Sequence, residues 1–252
     1  MSESASDLDN KPSDYAVLAL RGGLGAVPGV GSLLAEFASA FIPNQRLDRL
    51  VKFAEQLNAR LGTVEQQRMA AALGNPEFGE IAEEAMRQAA ASISDERRKQ
   101  LSSVVAEALD EERRAFADSR QVLRLLGQIS DLQMIVLRGG LVASFGGDDA
   151  FRKKHDIVLA PVPATLGSSQ DELDRASLWD AHRQHLARLD LLRRKLRLDS
   201  RTRQPFVDPL TGDFATGSYE LTPLGRLVLR SVGLTADGFT PIGDESPGVD
   251  QP

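Results

Sequence analysis

The sequence contains no cysteine and few aromatic residues. The absence of cysteine excludes disulfide bonds, thiolate metal sites and cysteine nucleophiles. Aromatic residues make up only 5% of a chain whose apolar fraction is 42%, a balance that favours helices packed through Leu, Ala and Val over a sandwich of sheets. At 252 residues the chain is long enough for one large domain or two modest ones.

Positive charge is also in short supply overall. Lys and Arg number 30 against 36 Asp and Glu, which gives a net charge of −6. This balance argues against a surface coated with nucleic acid but allows a local basic face. The first residues, MSESASDLDN, lack the basic start and apolar core of a secretory signal. We therefore expect a cytoplasmic protein, with a disordered lead-in at 1–13 and a disordered acidic tail at 235–252.

The most apolar stretch runs from residue 14 to residue 43. Between residues 22 and 45 the only charged residue is Glu36, and five glycines and two prolines interrupt the apolar residues. These breaks predict a helical hairpin. It could be the buried centre of a bundle, which we rank first, a hairpin that inserts into a membrane when released, or a permanent span, which the breaks fit poorly. The residues expected to act on a membrane are Leu24, Val27, Val30, Leu33, Leu34, Phe37 and Phe41.

Amphipathic helices are predicted to follow. Apolar residues recur at steps of three and four from Leu47 to Leu61, as in a helix with one buried face. Asn75-Pro76 and Ser94 are start signals for two later helices. Residues 14–145 are therefore predicted to form a multi-helix bundle. The Gly- and Pro-containing segment 146–176 is predicted to be a linker.

A separate C-terminal module is predicted at 177–234. Leucines from Leu178 to Leu196 predict a helix, and residues 199–217 are rich in turn formers able to build a β-ribbon. Residues 219–222 alternate like a strand, and Thr222-Pro223 can cap a final helix. This order predicts a small winged-helix-like α+β module. The expected fold class is mainly α: a multi-helix bundle with a Gly/Pro-rich apolar N-terminal hairpin, followed by this module.

Basic residues are concentrated in that module. Only Asp190 and Asp199 oppose them between residues 183 and 203. On a helix and the loop after it, such charges can meet DNA phosphates or anionic lipid headgroups, or they can simply face solvent. The residues predicted to bind a polyanion are Arg188, Arg193, Arg194, Lys195, Arg197, Arg201 and Arg203.

Other site chemistry finds little support. No lysine lies between Lys11 and Lys52, so the glycines at 22–31 cannot form a Walker-type phosphate loop. His182 and His185 could share a helix face with a carboxylate to bind a metal ion, but no second segment bearing ligands is evident. No Ser–His–acid grouping is visible. We predict no enzymatic activity, no cofactor and no metal site.

Two short stretches carry a resemblance to a known family. They are Ala26-Val27-Pro28-Gly29-Val30-Gly31 in the apolar hairpin and Leu221-Thr222-Pro223-Leu224-Gly225-Arg226 at the strand-to-helix step. With the charged helical middle between them, the chain resembles in outline the abortive-infection alpha-type proteins of bacteria. The resemblance implies a phage-defence protein that halts or kills the infected cell. It implies no enzymatic activity for this chain.

The leading hypothesis is a non-enzymatic bacterial defence or stress effector. Its apolar hairpin would act on membranes when released, so the cytoplasmic protein would become membrane-associated on activation. The alternatives are a DNA-binding regulator that uses the basic C-terminal module, and an interaction scaffold whose hairpin is core. The expected partners are an anionic membrane surface or DNA and a second copy of the chain, with no small-molecule substrate.

Overall fold

The computed structural model of the chain describes residues 46–61, 72, 74–110, 114–141, 149–160, 167–207, 212 and 214–234. In these residues the protein is mainly helical, with nine helices and a two-stranded antiparallel sheet near the C-terminus. The elements are α1 (Leu47–Leu61), α2 (Pro76–Ala91), α3 (Asp95–Asp110), α4 (Arg114–Leu126), α5 (Asp131–Gly139), α6 (Asp149–Lys154), α7 (Asp156–Leu159), α8 (Gln170–Arg188), β1 (Leu192–Leu196), β2 (Thr216–Leu221) and α9 (Pro223–Ser231). None of these helices is long and apolar enough to cross a membrane.

The chain divides into two compact units. The first comprises Met1–Ile129 and Ser231–Gly233, and the second comprises Ser130–Arg230 and Leu234–Pro252. The main division thus lies N-terminal to the boundary expected near residue 146. The segment predicted as a linker, 146–176, contains α6, α7 and the first turns of α8. In α6 an acidic first turn and a basic last turn complement the helix dipole, a signal that the turn-forming composition of the segment obscured.

The first unit contains a bundle in which α3 contacts α1, α2 and α4. The predicted start signals are confirmed: the Asn75 side chain accepts a hydrogen bond from the Glu77 amide at 2.9 Å, and the Arg97 amide donates to the Ser94 hydroxyl at 3.2 Å. From Leu50 to Leu61 the predicted apolar face is largely buried, and Phe53 on α1 is 1% exposed. Buried apolar residues of this unit include Leu50, Leu57, Phe78, Ile81, Leu101, Val104, Val105 and Leu123.

The second unit combines short helices with the sheet. In it α5 contacts α7 and α8, and α8 contacts β1. Both α5 and α8 begin with a capping box, formed by Ser130 with Gln133 and by Ser169 with Glu172. Each box satisfies backbone amides that the first turn of a helix leaves without partners. The predicted strand before the final helix is confirmed as β2, which pairs with β1 so that Leu192 lies opposite Leu221.

The helix predicted from Leu178 to Leu196 is wrong in its last eight residues. Helix α8 ends at Arg188, and the next residues close a Schellman motif. In it the Leu191 amide donates to Leu186 O at 2.9 Å and the Asp190 amide donates to Ala187 O at 3.1 Å. The chain then enters β1. The leucine spacing did not distinguish a helix from a strand here, because Leu192 also fits the buried face of a strand.

Asp190 ends α8 in a left-handed conformation, with φ at 56°. Glycine adopts this conformation without the steric cost of about 1–2 kcal/mol that other residues meet, and its extra unfolded-state entropy costs about 0.4–1 kcal/mol. We expect Asp190→Gly to raise the free energy of unfolding by about 0.5 kcal/mol in urea denaturation. Asp190→Ala keeps the strain and should give no gain. A less stable Asp190→Gly variant would contradict this assignment.

Candidate nucleic-acid interface

The two strands and the described residues between them form a surface that we call the basic ribbon, residues 192–207 and 214–221. Backbone hydrogen bonds extend its order beyond β1 and β2. The Arg197 amide donates to Ala215 O at 2.9 Å, the Phe206 amide to Arg197 O at 2.8 Å, and the Ala215 amide to Phe206 O at 2.8 Å. Three chain segments are therefore tied together beyond the strands, and the described part of the loop is held in place.

The register of β1 and β2 decides which residues share a face. Arg193 lies opposite Glu220, and Lys195 lies opposite Ser218. Since side chains alternate along a strand, Arg193 and Lys195 project from the same face, about 7 Å apart. The register shifts after Lys195, where Gly217 is the extra residue of a bulge. A Cβ there would lie 3.2 Å from the Arg197 backbone nitrogen, so glycine allows the close approach.

The cations of the basic ribbon have few carboxylate partners. Lys195 forms an ion pair with Glu220, which is worth little at an exposed position. The Arg194 guanidinium donates to the Phe214 carbonyl, and the Arg197 guanidinium lies 5.0 Å from the Phe206 ring centroid. Arg193, Arg201 and Arg203 are exposed, with no ion pair to a carboxylate of the described residues. The exposed Arg188 is in the last turn of α8, so all seven predicted polyanion-binding residues belong to the second unit.

Asp199 holds the turn that presents two of these arginines. Its carboxylate accepts hydrogen bonds from the backbone amides of Thr202 at 2.7 Å and Arg201 at 2.8 Å. These two bonds, the Thr202 bond first, lower the pKa of Asp199. These hydrogen bonds therefore stabilise the folded turn above the ordinary pKa of Asp. That stabilisation is lost as the pH falls through the lowered pKa of Asp199. Asp199 falls at the start of the predicted turn-forming range 199–217, and an Asp before turn residues is a known turn signal.

Arg203 closes this turn with φ at 58°, in the left-handed region that side chains other than glycine enter at a cost of about 1 kcal/mol. Its amide donates to the Asp199 carbonyl at 3.0 Å. Glycine would relieve the strain, but it would also remove an exposed positive charge.

The N-terminal half of α8 has the opposite charge. Asp171, Glu172 and Asp174 are exposed there, with Arg175 as the nearby cation. Hydrogen bonds from Ser169, the backbone bond first, hold the pKa of Glu172 below its ordinary value. The second unit therefore carries an acidic helix start and a basic ribbon as separate features.

A polar cluster ties α8 to its neighbours without offering reactive groups. The Tyr219 hydroxyl donates to Asp180 Oδ1 at 3.2 Å, and burial, followed by the charge of Asp180, raises the pKa of Tyr219. The Arg183 guanidinium stacks 3.3 Å from the Trp179 ring centroid and donates to Trp179 O at 3.0 Å. Burial lowers the pKa of Arg183 to about 10, so it remains protonated at neutral pH. The Tyr219–Asp180 hydrogen bond therefore joins β2 to α8, while the Arg183–Trp179 contacts lie within α8.

The other predicted candidates have different outcomes. His185 Nδ1 lies 2.8 Å from the Gln133 side-chain nitrogen, so this ring is engaged with α5, and His182 is half-buried. No group of three His, Asp or Glu suited to a metal ion occurs in the part of the chain that the structure describes. The hairpin 14–43 lies outside the described residues, so its action on membranes stays a prediction. Its seven named residues are Leu24, Val27, Val30, Leu33, Leu34, Phe37 and Phe41.

Family models, curated proteins and solved structures were compared with the chain, and none of them matches it. The resemblance to abortive-infection alpha-type proteins therefore stays a prediction.

Proposed function

We propose that this protein binds duplex DNA and that the basic ribbon contacts the phosphate backbone. The observation that carries the proposal is the exposure of Arg193, Arg201 and Arg203 on an ordered ribbon, without ion pairs to carboxylates among the described residues. Lys and Arg that reach phosphates release condensed counterions, which supplies most of the affinity of non-specific DNA binding. A protein with a net charge of −6 needs such a concentrated patch to approach DNA.

The order of elements supports a winged-helix-like module. Helices α5, α7 and α8 precede β1, the connecting loop and β2, and α9 follows. In helix-turn-helix proteins the second helix of the motif lies in the major groove. Helix α8 would take that place, yet it begins with Asp171, Glu172 and Asp174, which phosphates repel. We therefore assign the contact to the ribbon, and we expect little sequence preference because phosphate contacts do not read bases.

The test compares charge variants in binding to a short fluorescent DNA duplex, measured by anisotropy. Arg193→Gln, Arg201→Gln and Arg203→Gln together remove three exposed charges of the basic ribbon. We expect this variant to bind at least about tenfold more weakly at low salt, because three phosphate contacts are lost. None of the three side chains makes an ion pair with a described carboxylate, so the fold should be retained, which circular dichroism can check.

A matched control removes the same charge from the first unit. Arg46, Lys52 and Arg124 are exposed on or beside α1 and α4, and their replacement by Gln should change the affinity by less than about twofold. Equal losses in the two triple variants would show that overall charge, rather than the ribbon, attracts DNA. A wild-type chain that binds anionic lipid vesicles but not DNA at low salt would also contradict the proposal.

A further inference from the structure

The chain carries an acidic segment next to the basic ribbon. Residues 235–252, the acidic tail, contain Asp237, Asp244, Glu245 and Asp250 and no Lys or Arg. They follow α9, whose residues Pro223–Arg230 belong to the same unit as the ribbon. We propose that the acidic tail binds the basic ribbon of its own chain and competes with DNA for it. This inference rests on the proposed function and names the regulation of the same site.

Charge complementarity favours the acidic tail as the segment that binds the basic ribbon. The described residues of the basic ribbon contain six Lys and Arg against two acids, Asp199 and Glu220. Both acids are engaged, one in the turn and one with Lys195, so the remaining charge on the ribbon is positive. The four carboxylates of the acidic tail match the excess of cations. The acidic start of α8 is a poorer occupant, because it is the capped first turn of a helix of 19 residues and cannot move onto the ribbon without unfolding that turn.

The acidic tail is long enough to reach the basic ribbon. Helix α9 has 9 residues and is therefore about 14 Å long, and it begins two residues after the end of β2. The strands of the ribbon, with 5 and 6 residues, are about 17–20 Å long. An extended segment of the tail's length can span about 60 Å. The acidic tail can thus run back past α9 and along the ribbon, at the millimolar effective concentration that a short tether provides.

The first arm of the test uses DNA and the full chain. Asp237→Asn, Asp244→Asn, Glu245→Gln and Asp250→Asn together neutralise the acidic tail. We expect this variant to bind the duplex at least about fivefold more tightly at low salt, with a difference that shrinks as salt rises. As a control, Glu3→Gln, Asp7→Asn and Asp9→Asn remove acidic charge near residue 1, and the affinity should change by less than about twofold.

The second arm needs no DNA. A fluorescent peptide with the sequence of residues 235–252 is added to the full chain with the neutralised tail. We expect binding that disappears when Arg193→Gln, Arg201→Gln and Arg203→Gln are also present. The inference is overturned if the peptide does not bind, or if neutralising the tail leaves DNA affinity unchanged while the wild type binds DNA. If no form of the chain binds DNA, the proposed function and the competition both fail, and the peptide result decides whether the tail contacts the ribbon.

Discussion

Gly225→Ala is expected to lower the free energy of unfolding by about 3 kcal/mol. Gly225 is in the first turn of α9, where a Cβ would lie 2.3 Å from the Leu191 carbonyl oxygen and 2.7 Å from Leu221 Cδ1. The carbonyl cannot move away freely, because it accepts a hydrogen bond from the Thr222 amide at 3.2 Å. A methyl group at this position must therefore separate α9 from the turn that joins α8 to β1.

Urea denaturation of matched glycine variants measures this effect. Gly79 lies inside α2, and a Cβ there would meet nothing within 4 Å. Gly79→Ala should therefore stabilise the chain by about 0.5–1 kcal/mol, since alanine is the better helix former. The two substitutions add the same methyl group to a helix and should act in opposite directions. A Gly225→Ala variant as stable as the wild type would show that α9 does not pack this closely against Leu191.

Thr222→Val is expected to cost about 2–3 kcal/mol, although the two side chains have nearly the same shape. Thr222 is 2% exposed, and its hydroxyl accepts a hydrogen bond from the Gly225 amide at 3.0 Å. The same oxygen is 2.5 Å from Asp190 O and 3.1 Å from Leu191 O. Valine would leave the first turn of α9 without its cap and would break the hydroxyl's contact with the turn after α8.

Thr222→Ser provides the control, because it keeps the hydroxyl and removes only a methyl group. In thermal denaturation it should stay within about 1 kcal/mol of the wild type, well above the valine variant. Equal stability of the serine and valine variants would mean that the hydrogen bonds of Thr222 contribute nothing measurable.

These two residues give the Leu-Thr-Pro-x-Gly step a physical explanation. Leu221 is buried opposite Leu192, Thr222 caps α9, and Pro223 occupies the first helical position, where a missing amide costs nothing. Gly225 then allows the helix to approach Leu191. The step thus joins the end of β2 to the turn that precedes β1. Packing accounts for these residues whether or not the family resemblance holds.

Local signals in the sequence were sufficient for much of the fold. The caps at Asn75 and Ser94 act within a few residues, so they could be recognised without the tertiary structure. The strand before Thr222 and the cap of α9 were predicted for the same reason. The end of α8 could not be predicted, because an Asp in the left-handed conformation is a weaker stop signal than Gly. The choice of a strand over a further helical turn depends on pairing with β2, which lies far along the chain.

The candidate site was predicted as a set of charges but not as a surface. Arg193, Arg194 and Lys195 were placed on a helix, where successive residues point in different directions. In β1 the same run alternates, so Arg193 and Lys195 share a face while Arg194 lies opposite Tyr219. The ion pair of Lys195 with Glu220 and the turn held by Asp199 depend on contacts between distant residues. Sequence alone therefore could not identify which cations are left for a partner.

The salt dependence of DNA binding tests the central proposal most directly. If Arg193, Arg197, Arg201 and Arg203 each neutralise a phosphate, the logarithm of the wild-type binding constant should fall with the logarithm of salt concentration with a slope of about −3 to −4. Replacing Arg193, Arg201 and Arg203 with Gln should bring the slope to about −1. A wild type that does not bind DNA at low salt, or a slope that the three substitutions leave unchanged, would contradict the assignment of the basic ribbon as the DNA contact.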